Sequence, residues 1–133
     1  MLRELSEKNK KILLRYMHKE INETTQSVVK SILNGNIEEQ ITYPPDTRLT
    51  DEEIESMRQV KNISSIESAL IKIILDACAN PIFSLFSVID GVTDPDDCNW
   101  KGVSILDRVD SDKDVEEFLH DSFYDSYWDF KEE

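Results

Sequence analysis

Carboxylates dominate the chemistry this chain can offer. The stretch FSLFSVIDGVTDPDDCNW at positions 83–100 ends an apolar run in Asp90, Asp94, Asp96 and Asp97, and carboxylate oxygens are what hard cations require. A calcium loop, however, needs oxygen ligands at positions 1, 3 and 5, glycine at 6 and glutamate at 12. Counted from Asp94, the chain has Asp96 at 3 but Cys98 at 5, Asn99 at 6 and Ile105 at 12. The register fails. Aspartates beside a proline commonly bond their own backbone, so the loop reads as a turn. Asp90, just before Gly91, reads as a helix end with a C-cap glycine.

Catalytic signatures are missing. His120 and Asp121 form the one adjacent histidine–acid pair, but neighbours on a helix point about 100° apart, so adjacency does not make a dyad. No GxSxG, glycine-rich phosphate loop or cysteine-nucleophile pattern occurs. The two histidines, His18 and His120, are far apart, and with no CxxC or HxxxH a zinc site has no ligand spacing. Two cysteines, Cys78 and Cys98, read as reduced thiols. These features lead us to expect a non-enzyme with no metal and no cofactor.

Binding chemistry is better represented, in the last segment, DKDVEEFLHDSFYDSYWDF. Stepping about 100° per residue, Val115, Leu119, Phe123, Ser126 and Phe130 share one stripe suited to a core. Asp114, Glu117, Asp121, Tyr124, Asp125 and Trp128 share the opposite face. Glu117, Asp121, Asp125 and Asp129 follow one another at four-residue steps, and each like-charged pair costs about 0.2–0.5 kcal/mol. Asp129, Glu132 and Glu133 also oppose the helix dipole. Stability alone would favour interspersed lysines. Tyrosine and tryptophan among these acids suit an interface, because their rings cover much area at little entropic cost. The expected surface comprises those six residues together with Asp96, Asp97 and Trp100 of the acidic loop. Its expected partner is a basic protein, which carboxylates would steer and on whose arginines the rings could stack.

The charge layout points the same way. The 133 residues carry a formal charge of −13, very unevenly: residues 1–35 have seven Lys/Arg against four Asp/Glu, and residues 90–133 have four against fifteen. A polyanion would be repelled by that C-terminal region, so nucleic acid is not an expected ligand. Lysines 8, 10, 11 and 19 of the first segment read as an internal offset to the acids rather than as a phosphate site.

The elements that position these residues are mainly helical. Apolar residues at three- and four-residue steps predict a first helix from about residue 3 to Asn34, ended by Gly35, that either supercoils or breaks near NETT at 22–25. Residues 36–49, with Tyr43, Pro44 and Pro45, read as a connection. Thr50 and Glu53 predict a capping box, with Leu49 and Ile54 as its hydrophobic staple; Ser64 and Glu67 predict a second box. IESALIKIILDACA is apolar nearly all round and is expected to lie centrally, ended or kinked at Asn80–Pro81 before a short buried helix that stops at Gly91. Residues 102–109 suggest a small β element, and Asp110 or Ser111 can cap the last helix.

The expected fold is therefore a single mainly α domain, a bundle of about four helices, which 133 residues can stabilise without disulfides. Lys72, Asp76, Asn80 and Pro81 interrupt the longest apolar region, so no bilayer span is expected. The N-terminus lacks the order of a secretory signal, and Glu4, Glu7 and Glu20 weaken a transit-peptide reading. A cytoplasmic location is the expectation.

Small, acidic and without a catalytic signature, the chain is similar in general character to bacterial immunity proteins and antitoxins, a likeness of size and composition. The expected function is to neutralise or regulate a basic protein partner. Two alternatives remain at this point: a DNA mimic that inhibits a nucleic-acid enzyme, and a metal-dependent hydrolase built on Asp90, Asp94, Asp96, Asp97 and His120.

Overall fold

A computed structural model describes residues 4–112 and 118–133. The chain is mainly helical, with α1 over Glu7–Asn34, α2 over Asp51–Arg58, α3 over Ser64–Ile89, α4 over Leu119–Glu132 and a single 3-10 turn over Ile37–Gln40. Among the described residues no strand forms, so the β element expected at 102–109 is absent and the segment has no regular secondary structure. Its alternation of apolar residues is too poor to give a strand a buried face.

The chain gathers into two compact units, each made of two separated segments. One joins Met1–Val29 to Ile63–Val109, and the other joins Lys30–Asn62 to Asp110–Glu133.

In the first unit, Leu13 and Leu14 of α1, Phe86 and Ile89 of α3, and Ile105 line a mostly apolar cavity of about 380 Å3. The irregular segment over 101–109 is tied to residues 4–6 by two bonds: the Ser6 N–H donates to Asp107 Oδ1 at 3.1 Å, and the Asp107 N–H to the Glu4 carbonyl at 3.3 Å. Hydrogen bonds from the Asn9 side chain, then from the Ser6 side chain and N–H, hold the Asp107 carboxyl below its ordinary pKa. Helix α1 does not break at NETT. Thr25 is fully buried there and donates its hydroxyl to the Ile21 carbonyl at 2.7 Å, which satisfies a polar group that water cannot reach.

Helix α3 departs from expectation in three ways. It runs unbroken through Pro81: the ring withholds one amide from the ladder, while Ile82, Phe86 and Ile89 continue the half-buried face begun by Ile71, Leu75 and Cys78. Its N-cap is Ile63, with no side-chain cap bond, so the Ser64–Glu67 box does not form and the Glu67 N–H bonds the Ile63 carbonyl. Nor is the helix central: none of its residues is buried, and Ile73, Phe83 and Leu85 are exposed. By length and composition α3 is apolar enough to cross a bilayer. The helix ends as expected, with Gly91 at φ +74° and the Val92 N–H bonded back to the Ser87 carbonyl.

In the second unit the end of α1 closes in the same motif. Gly35 has φ +78°, its N–H bonds the Ile32 carbonyl, and the Asn36 N–H bonds the Ser31 carbonyl. Ile32 and Ile37 are buried beside Ser31, whose hydroxyl accepts from Gln40 Nε2 at 3.0 Å. Arg58 of α2 donates from Nε to the Gly35 carbonyl and places Nη2 3.6 Å from Glu38 Oε1, so a helix end and a turn share one guanidinium. The Thr50–Glu53 capping box forms with both bonds present, at 3.1 and 2.8 Å.

Candidate partner-binding surface

Helix α4 is held within its unit by a residue of the connection. The Tyr43 ring stacks on Phe123 with centroids 5.7 Å apart and planes 12° apart, and meets the edges of Tyr124 at 6.1 Å and Tyr127 at 5.5 Å. The hydroxyls of Thr42 and Tyr124 lie 3.3 Å apart. Ring pairs at these separations contribute about 0.5–1.5 kcal/mol each beyond the area they cover. This cluster turns the helix. The face applied to the chain carries Phe123, Tyr124 and Tyr127, whereas the expected inner stripe was Val115, Leu119, Phe123, Ser126 and Phe130. Leu119 is 91% exposed and Phe130 69%, and Val115 lies outside the described residues. Aromatic docking, which a hydrophobic wheel does not weigh, outweighs the aliphatic stripe.

Of the expected binding face, Asp114 and Glu117 lie outside the described residues. Asp121 and Asp125 are exposed. Trp128 is 45% exposed and packs edge-on against Tyr127 at 5.3 Å. Tyr124, expected on the open face, sits at its margin: 40% of it is exposed, and its hydroxyl faces Thr42. The helix therefore presents Asp121, Asp125 and Trp128 together, with Tyr124 along one side.

His120 and Asp121 do meet, contrary to expectation, with Nε2 3.1 Å from Oδ1. Side-chain torsions close the roughly 100° between neighbouring helix positions. Both side chains are largely exposed, where such a contact contributes little.

The acidic loop belongs to the first unit. Asp97 closes a turn there: its Oδ1 accepts from the Asn99 N–H at 2.8 Å, its carbonyl from the Trp100 N–H at 3.1 Å, and its own N–H donates to the Pro95 carbonyl. Asp94 and Asp96 are exposed and Trp100 is half-buried. Among the described residues no three His, Cys, Asp or Glu side chains are placed to hold a metal ion. Asp96, Asp97 and Trp100 thus fall in one unit and Asp121, Tyr124, Asp125 and Trp128 in the other.

Sequence reasoning passed over Tyr43, Thr42 and Glu38. Thr42 also lines a cavity of about 420 Å3 with Glu38, Asp46, Thr47 and Arg48. Glu38 Oε2 is buried without a hydrogen-bond partner. The available signal was an aromatic residue just before two prolines, in a segment otherwise read as connection.

Comparison with family models, with curated proteins and with solved structures finds no match for this chain.

Proposed function

We propose that this chain is a binding module that neutralises or regulates a basic protein partner, of the kind represented by immunity proteins and antitoxins, and that it acts in the cytoplasm without catalysis of its own. The observation carrying the reading is on α4: Trp128 stays 45% exposed beside Asp121 and Asp125, while Tyr43 grips the other side of the same helix. A partly exposed ring among carboxylates suits a surface rich in lysine and arginine. The acids draw the partner in and the ring, once covered, supplies contact energy. Asp114 and Glu117 extend this face in the sequence, and Asp96, Asp97 and Trp100 offer a second acidic contact from the loop.

Biolayer interferometry against immobilised proteins rich in lysine and arginine, at 50 and 500 mM salt, tests the reading. Charge reversal at Glu117, Asp121 and Asp125 should slow association about tenfold at low salt. Trp128→Ala should instead speed dissociation about thirtyfold, the usual signature of a lost central contact. Equal rates for all three proteins at both salt concentrations would refute the assignment.

A further inference from the structure

We infer that α3 pairs antiparallel with the same helix of a second copy of this chain, Lys72 of each copy lying against Asp76 of the other. An exposed apolar helix face needs a cover. Helix α3 is where apolar surface is most out of place. It is apolar over most of its length, none of its residues is buried, and Ile73 is 63% exposed.

The charges on α3 say what covers it. Lys72 and Asp76 are its only ionised side chains between Ser68 and Ile89. Asp76 stands at the middle of the 26-residue helix, the depth at which a bilayer penalises a charge most, so lipid is a poor cover. A twofold axis passing near residue 74 sets positions 72 and 76 equally far from it on opposite sides. Antiparallel pairing then matches Lys72 with Asp76 twice, as an isologous contact requires. Within one helix the lysine-before-aspartate order is the weaker arrangement, and no ion pair joins the two among the described residues. Asp76 Oδ2 instead accepts from Asn80 Nδ2 at 3.2 Å, which steers the carboxylate along the exposed stripe. Ala69 and Ala77 share that stripe with Ile73, and small residues let helix axes approach to about 8 Å. The acids that would drive copies apart lie elsewhere: residues 63–89 hold one lysine against two acids.

Sedimentation equilibrium of the full chain between 1 and 100 µM tests this inference, with circular dichroism to check helicity. The chain should sediment at twice 15.5 kDa. Lys72→Glu should weaken self-association at least tenfold, since both cross pairs become repulsive, and adding Asp76→Lys should restore it to within about threefold. Ile73→Glu should give a monomer. Should that variant lose helicity, the charge exchange alone decides. A monomer at every concentration, or a double variant as weak as the single one, overturns the inference. So does flotation of the wild-type chain with phosphatidylcholine–phosphatidylglycerol vesicles, which would make lipid the cover. Trp128→Ala should remain dimeric, so this result and the partner-binding result stand or fall separately.

Discussion

Replacing Tyr43 with alanine should loosen α4 without touching any residue of that helix. Tyr43 is 50% exposed, so about 100 Å2 of the side chain is covered, or about 2.5 kcal/mol at roughly 25 cal/mol per Å2. Three ring contacts, with Phe123, Tyr124 and Tyr127, each add about 0.5 kcal/mol at the lower end of their range, and the alanine Cβ keeps part of the covered area. The net loss should be about 2–3 kcal/mol. A helix of 14 residues is marginal in water by itself, so docking is the main source of its protection. Amide hydrogen exchange over 123–132 should accelerate about 30- to 150-fold, since 1.4 kcal/mol is a factor of ten. Tyr43→Phe keeps all three ring contacts and should exchange within about twofold of wild type, because the hydroxyl paired with Tyr124 belongs to Thr42. Exchange in the alanine variant within about threefold of wild type would refute the docking argument.

Two other changes probe smaller features. Thr50→Ala removes the hydroxyl that accepts from the Glu53 N–H and should cost about 1 kcal/mol in urea unfolding; no change in midpoint would contradict the role of the cap. Because hydrogen bonds lower the Asp107 pKa in the folded chain, the stability it contributes is present above the unfolded value of about 3.9 and is lost as pH falls through the lower folded value. The Ser6 amide signal, which reports the bond to Asp107, should titrate with a midpoint below about 3.9 and stop titrating in Asp107→Asn. A midpoint at or above that value would contradict the tie.

Local chemistry proved the most legible part of the sequence. Gly35 and Gly91 end α1 and α3 in the left-handed conformation, and Thr50 with Glu53 starts α2, because each signal is complete within a few residues. Ser64 with Glu67 carries the same pattern yet forms no box, since Ile63 takes the cap position and the helix starts at Ser64 itself. Pro81 misled for a related reason: proline penalises one rung, whereas the side chains on both sides of it share a face. Burial was least legible. An all-round apolar α3 implies a covered helix, but periodicity does not say whether the cover comes from the same molecule. The rotation of α4 was hidden too, because its cause, Tyr43, lies 80 positions before Phe123. Asp121, Asp125 and Trp128 lie within about 60° of one another around the helix and are all exposed.

The interleaving of the two units affects how the molecule can be made. Neither unit is a contiguous stretch: α1 feeds residues to both, and the second unit encloses residues 63–109 as an insertion between its halves. A ribosome releasing chain from the amino end can complete the first unit once Val109 has emerged, but the second waits for the final two dozen residues. Until then Tyr43 has no ring to stack on, and a truncation that removes the carboxyl-terminal helix would leave the connection bare. Dissection into halves is consequently unsuited to this molecule, and circular permutants that make one unit contiguous are the natural way to study each by itself.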